Sequence, residues 1–385
     1  MVRAIGRVLL FAAVALLLAV VLVPPFLDRI YYQGPASGHF DGERFFNPDG
    51  EDTAAPPTGG SRAGFFARFL TGSDGRPPWP ERVAVTPTKP PARVEGERML
   101  VTWIGHATVL VQTAGLNILT DPIWSDTAGP FGFGPRRVAA PGVRFEDLPK
   151  IDLVLISHNH YDHMGLGTLE RLWRRDRPKI VTSLGNDAIL RSRGIEAEGV
   201  DWDRCFEQSH GPGISVCVTR NHHWGSRWFA DRNRALWSSF VVRLPGGNLF
   251  FAGDTGLGDG RWPAEAAALG PVRLALVPIG AFRFRPGQMS TASHIGPVEA
   301  VRVHEGLGVP FTIPVHWGTF RLSFEAYDTP PRLLREAMRC AGHDPARFAP
   351  VRIGRPVEVP PLSRPVPPRP LGPDCLNSYA VRGLP

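Results

Sequence analysis

The sequence predicts an α/β protein in which two mixed sheets are flanked by helices. Residues 151–156, apolar at every position but Asp152, read as a strand buried on both faces. Strand patterns dominate the first part of the central region and strand–helix alternation follows, which favours two covered sheets over one doubly wound sheet. No Gly-x-Gly-x-x-Gly follows a strand and no Walker-type lysine loop occurs, so nucleotide-binding folds lose support. The 385 residues are 43% hydrophobic, enough for a sizeable core. The 42 glycines and 40 prolines stay below the low-complexity range of about 25–30%. Wholesale disorder, collagen and coiled coil are thereby excluded, while Pro/Gly-rich flanks are expected.

Four regions follow in order. Region 1–27 contains an apolar run, residues 8–23, preceded by Arg3 and Arg7 and closed by Pro24-Pro25. It reads as a signal anchor or a signal peptide. The run is short for a span of about 20 residues, but Ile5, Gly6 and Phe26-Leu27 can extend it. No convincing small-x-small cleavage site follows, which favours an anchor over a cleaved secreted or periplasmic form. The positive flank predicts the amino end inside and the rest of the chain on the extracytoplasmic side. Region 28–97, rich in Pro and Gly, reads as a linker or wrapping extension, with an aromatic patch at Phe65-Phe66 and Phe69-Leu70. Region 98–354 is the folded domain. Its expected strands are residues 99–104, 108–112, 117–119, 151–156, 179–182, 214–219, 236–244, 249–252, 274–278 and 311–315. Its expected helices are residues 166–174, 263–268, 297–304 and 331–341. Region 355–385 is a Pro-rich, extended tail.

A formal charge of +7 is compatible with nucleic acid, but no dense Lys/Arg block or aromatic-basic repeat is present. The mild basicity suits anionic substrates or an anionic lipid surface. Cys205, Cys217, Cys340 and Cys375 lack C-x-x-C spacing, so neither a zinc ribbon nor a disulfide framework is indicated.

Chemistry concentrates in Ser157-His158-Asn159-His160-Tyr161-Asp162-His163, directly after the 151–156 strand. Imidazole and carboxylate are zinc ligands, and four within six positions would be costly to bury unpaired. In extended chain, residues two apart share a side, so His158 and His160 can grip one metal. Asp162 and His163, where the chain turns, face a second.

This run resembles the His-x-His-x-Asp-His hallmark of the metallo-β-lactamase superfamily, over roughly residues 100–354. Thr102-Trp-Ile-Gly-His-Ala-Thr108, Leu119-Thr-Asp-Pro122, Phe250-Phe-Ala-Gly-Asp-Thr-Gly256, Pro278-Ile-Gly-Ala281 and His316-Trp-Gly-Thr-Phe320 narrow the likeness. Together they are most similar to the N-acylphosphatidylethanolamine-hydrolysing phospholipases D. The resemblance implies a two-sheet αββα sandwich holding two zinc ions. It assigns His158, His160 and His223 to one zinc and Asp162, His163 and His316 to the other, with Asp254 shared. His222 is expected to point away. A bridging hydroxide would attack, oriented by Asp162. Asp121 and His106 are expected behind the ligands, and His294 near the substrate phosphate. Arg283 and Arg285 are candidate substrate contacts, in a stretch that departs from the family pattern.

The implied function is a zinc phosphodiesterase acting on N-acylphosphatidylethanolamine-like phospholipids, with the membrane as partner and a homo-oligomer possible. The alternatives are a metal-dependent lactonase or another ester hydrolase of the superfamily, or a non-catalytic membrane-tethered zinc protein. A di-iron redox site is disfavoured because such members usually place a glutamate where His160 stands.

Overall fold

The computed structural model describes residues 2–50, 75–207, 214–228, 230–284, 292–367, 373–378, 381 and 383–384. The aromatic patch expected at residues 65–70 and the candidate Arg285 lie outside these residues. Among the described residues, thirteen strands form two sheets, and side-chain alternation along the strands explains the layering. In β4 (Leu153–Ile156), Leu153 and Leu155 enter the core between the sheets, whereas Val154 and Ile156 enter an outer core. There they meet Leu169 and Leu172 of α2 (Leu166–Asp176). Its buried residues Leu169, Leu172 and Trp173 fall on one stripe, while Arg171 and Arg174 face solvent, as a surface helix requires.

The first sheet has seven strands. From one edge they run β13 (Pro356–Glu358), β1 (Met99–Gly105), β2 (Thr108–Thr113), β3 (Leu116–Thr120), β4, β5 (Lys179–Ser183) and β6 (Glu198–Val200). Strands β3 to β6 are parallel and the others antiparallel. The second sheet runs β12 (Phe311–Val315), β11 (Val272–Pro278), β10 (Asn248–Phe251), β9 (Ser239–Arg243), β8 (Ser215–Thr219) and β7 (Arg204–Glu207). Strands β10 to β12 are parallel. Its outer face is covered by α4 (Trp262–Ala267), α5 (Pro297–Gly306) and α6 (Thr329–Ala341), through Trp262, Val301, Leu334 and Met338. The inter-sheet core takes Trp103, Val109 and Leu155 from one sheet and Phe240, Phe251 and Leu276 from the other. The expected two mixed, helix-flanked sheets are what the chain forms.

The sequence reading passed over β6, β7, β13 and the short α3 (Asn186–Arg191). β7 is mostly exposed and polar, so it carries no apolar pattern. β13 lies in the segment expected to be a tail. It pairs with the edge of β1 and covers backbone groups that would otherwise be open, while Val381 and Leu384 are buried in the outer core. Two disulfides correct the reading of the cysteines. Cys205 and Cys217 are register partners across β7 and β8, and Cys340 in α6 is bonded to Cys375 in α7 (Pro373–Leu376).

The N-terminal flank joins the domain at once. Helix α1 (Val2–Leu27) contains a 19-residue stretch, Ile5–Val23, long and apolar enough to cross a membrane. Immediately after it, Asp28 accepts from both Arg44 and Arg234, and Tyr31 donates to Asp231 at 2.8 Å. The hydrogen bond from Arg234 holds the Asp28 carboxyl below the usual carboxylate range. Phe40 and Phe45 are buried against Trp202 and Trp237. Within region 28–97, residues 28–50 lie against the domain, because their aromatic side chains belong to the inter-sheet core. Phe45→Ala should lower stability by about 3–5 kcal/mol in urea unfolding, the cost of emptying an aromatic site. Unchanged stability would show that these residues only decorate the surface.

Candidate metal centre

The strands end in loops that converge on one edge of the sandwich. His106 follows β1, Asp121 follows β3, residues 158–163 follow β4, and His223 follows β8. Asp254 follows β10, His294 follows β11, and His316 follows β12. His106, Asp121 and His316 adopt φ of 55°, 31° and 60°. Left-handed backbone at side-chain-bearing residues is a strain that surrounding structure must hold. Gly253 has φ 63° and lies so close to Ser157 that a Cβ would come within 2.5 Å of that residue's Cβ. No larger residue fits where the Asp254 loop crosses the Ser157–His163 loop.

Two groups of side chains result. In the first, His158 Nε2 lies 2.7 Å from His160 Nδ1, and His223 Nε2 lies 3.4 Å from the same atom. In the second, His316 Nε2 and His163 Nε2 each lie 3.4 Å from Asp162 Oδ2. Asp254 Oδ2 stands 3.1 Å from His163 Nε2 and 3.0 Å from His316 Nε2. Asp254 also clusters with His223 and His294, so it reaches both groups. Each group meets the spacing for holding a metal ion.

The donor set fits a metal better than it fits itself. His163 Nε2, His316 Nε2 and Asp254 Oδ1 are buried without a hydrogen-bond partner. A cation between them would give these inward atoms the partner they lack.

The outward ring nitrogens show how the histidines are oriented. His163 Nδ1 donates to Asp121 Oδ2 at 2.6 Å. Ser157 Oγ donates to the same oxygen at 2.6 Å and accepts from His158 Nδ1 at 2.9 Å. One buried carboxylate thus holds two rings with their Nε2 atoms turned inward, the usual arrangement behind a metal-binding histidine. His223 Nδ1 donates to the Ser293 carbonyl at 2.8 Å. His106 Nε2 donates to Asp162 Oδ2 at 2.9 Å, steadying that carboxylate.

Other expected residues divide. His222 turns away from both groups and meets Asp49 Oδ1 at 2.8 Å. His294 stands at the mouth, its Nδ1 3.8 Å from Asp254 Oδ2 and its ring 5.4 Å from Phe284. Arg283, expected at the substrate, is buried and donates through Nη1 to the Leu384 carbonyl at 2.9 Å. The Glu325 carboxylate takes the Ala281 and Arg283 amides, turning the loop so that the guanidinium runs toward the C-terminal segment. Sequence reasoning missed Asn47, whose side chain donates to the His223 carbonyl at 2.9 Å. No local pattern around Asn47 announces it.

Residues 116–317 match the family described as the Beta-lactamase superfamily domain. The chain belongs to the metallo-β-lactamase superfamily. It is 35% identical over 250 residues to "N-acyl-phosphatidylethanolamine-hydrolyzing phospholipase D 1" of Caenorhabditis elegans, covering 62% of this chain and 70% of that protein. A Saccharomyces cerevisiae protein, "N-acyl-phosphatidylethanolamine-hydrolyzing phospholipase D, mitochondrial", is 31% identical over 253 residues. That match covers 65% of this chain and 54% of the yeast protein. The solved structure of Igni18, a metallo hydrolase of Ignicoccus hospitalis, shares the fold with a TM-score of 0.52 at 22% identity. It covers 68% of this chain and 98% of its own.

In this metal-dependent hydrolase the two groups differ electrostatically. Burial, reinforced by neighbouring imidazoles, pushes His158 well below the ordinary histidine range and brings His160 and His223 down to about 3. Burial also acts against charge in the second group, but there the carboxylates win. They hold His163 well above its ordinary value and His316 at about 9, while Asp162 and Asp254 stay well below theirs. The protein without metal therefore balances its buried carboxylates with protons, and a cation must displace them.

Zinc binding to the second group should release protons and tighten as pH rises toward about 9, where His316 loses its proton. Binding to the already neutral first group should show little such dependence. Calorimetry in two buffers of different ionisation enthalpy checks this, and equal proton release from both groups contradicts it. Asp121→Asn should weaken metal binding by about 10–100-fold, as losses behind a metal ligand do. Elemental analysis after dialysis against a chelator gives the readout.

Proposed function

We propose that the protein is a di-zinc phosphodiesterase of phospholipase D type, cleaving N-acylphosphatidylethanolamine-like phospholipids. The observation that carries the reading is the pair of His/Asp groups joined by Asp254. The names of the worm and yeast relatives direct it to the lipid phosphodiester. His158, His160 and His223 would hold one zinc, and Asp162, His163 and His316 the other, with Asp254 between them. Zinc held there would lower the pKa of water and stabilise charge on phosphoryl oxygens.

The side chains supply orientation and proton control. Water oxygen attacks phosphorus, the bond from phosphorus to the ethanolamide oxygen breaks, and a proton goes to that leaving alcohol, leaving phosphatidic acid. Asp162, steadied by His106, accepts the water's hydrogen bond and fixes its direction. Burial lowers the pKa of His294 to about 3, so at neutral pH it offers one N–H to a phosphoryl oxygen as an uncharged donor. Arg283 has no part in this reading.

The same reading places the chain at a bilayer through α1, with its domain on the extracytoplasmic side. Two disulfides support an oxidising compartment. The exposed apolar face of the helix supports retention over burial in the domain, since none of its 19-residue span is covered.

Lipid mass spectrometry on the zinc-loaded protein should find phosphatidic acid and an N-acylethanolamine from N-acylphosphatidylethanolamine. Asp162→Asn should lower turnover by about 10²–10⁴-fold, the range for a positioned acid–base group. Hydrolysis of lactones with no phosphodiester turnover would transfer the assignment to another ester hydrolase. Full turnover by the Asn variant with full metal content would remove Asp162 from its role.

A further inference from the structure

Beyond α1 and Ile30, the large apolar side chains most exposed among the described residues are Phe131 and Phe133, at 84% and 74%. They occupy one loop, and Phe131 is held there at φ 54°, a left-handed backbone that a bulky residue adopts only under constraint. The loop does not stand alone. The Phe131 ring lies 6.3 Å from that of Trp228, and Trp228 lies 5.9 Å edge-on from Phe26 in the last turn of α1. The Arg29 guanidinium sits 4.4 Å from the centroids of both Phe26 and Trp228. An apolar helix thus runs without interruption into an aromatic patch carried by the domain.

We infer that Phe131, Phe133 and Trp228 are a second membrane contact, inserted into the bilayer interface beside the exit of α1. Length supports the placement. The stretch Ile5–Val23 spans about 28 Å as helix, close to a hydrocarbon core of about 30 Å. Phe26 then falls about one turn beyond the core, at the depth where aromatic rings concentrate and an arginine can lie along them with its charge in water. The ion pairs of Asp28 with Arg44 and Arg234 hold the domain at that height. A patch of exposed rings continuous with a spanning helix has the bilayer as its natural cover.

The patch also connects to the metal centre. The Arg227 carbonyl accepts from the Tyr161 hydroxyl at 3.0 Å, between candidate ligands His160 and Asp162, and Trp224 stands 4.2 Å edge-on to His160. Inserting the loop therefore sets the rim of the site on the headgroup layer, where a lipid phosphodiester lies. The inference rests on the reading of α1 as a membrane span, and deepens it.

All four cysteines are in disulfides, so one new cysteine is a unique labelling point. Full-length Phe133→Cys and Phe131→Cys proteins, labelled with an environment-sensitive fluorophore, would be reconstituted in phosphatidylcholine–phosphatidylglycerol vesicles. Glu95→Cys is the control, because Val94 pairs with Gly115 in the β2–β3 turn, at the end of the sheet opposite the metal centre. Labels at 131 and 133 should show blue-shifted emission and loss of intensity when the lipid carries an acyl-chain quencher, and the label at 95 should show neither. Labels at 131 and 133 that behave like the one at 95, in protein that floats with the vesicles, overturn the patch and leave the anchor standing. A blue shift without quenching by lipid identifies a second protein copy as the cover and overturns it too. Protein that does not float with vesicles refutes the anchor and the patch together.

Discussion

Two carboxylates buried among histidines are the constraint on which the rest of this molecule depends. Asp254 is buried and Asp162 keeps only a small exposed face, and a charge so placed without a partner is among the most expensive things a fold can hold. Protons on His163 and His316 supply the counter-charge in the metal-free protein, and a divalent cation supplies it more compactly. Either way the cage works only if every ring presents the correct nitrogen. This is why Asp121 and Ser157, which never reach the centre of the cage, matter as much as the residues that do. Asp121 takes hydrogen bonds from His163, the Ser157 hydroxyl and the Ser157 amide, so one side chain fixes an entire loop.

The sandwich exists to bring remote strand ends within contact distance. Residues from β1, β3, β4, β8, β10, β11 and β12 meet at one edge, and the three apolar layers behind them resist displacement. Close-packed cores transmit strain instead of absorbing it, so the left-handed backbone of His106, Asp121 and His316 can persist at that edge. The N-terminal extension is part of this scaffold. Phe40 and Phe45 fill the inter-sheet core, and Asn47 and Asp49 hold the His223 carbonyl and the His222 ring from behind.

That integration changes what the apolar helix does on the proposed reading. A flexible tether would raise local concentration and leave orientation free. Asp28 and Tyr31 instead clamp the chain to the domain within a few residues of the helix end. The site would then work at a set height and tilt above its lipid. The disulfide from Cys340 to Cys375 ties down the other end of the chain, where Leu384 meets Arg283.

Most of the strand–helix order and the two-sheet class are legible in alternating or continuous apolar runs, and His158, His160, Asp162 and His163 in the His-x-His-x-Asp-His stretch at a strand end. His223, Asp254 and His316 became candidates only through the resemblance to the superfamily. With His223 chosen by that resemblance, His222 follows as the one facing away, because neighbours in extended chain face opposite ways. The sequence did not reveal β7 or β13, the two disulfides, the burial of Phe40 and Phe45, or the attachment of Arg283 to Leu384. Cys205 finds Cys217 only through the register of two strands, and Arg283 runs toward the C-terminal segment only because Glu325 turns its loop. Local pattern reports on residues a few positions apart. Partners such as Asn47 and His223, 176 positions apart, are selected by packing once the layers have closed, and that selection belongs to tertiary structure alone.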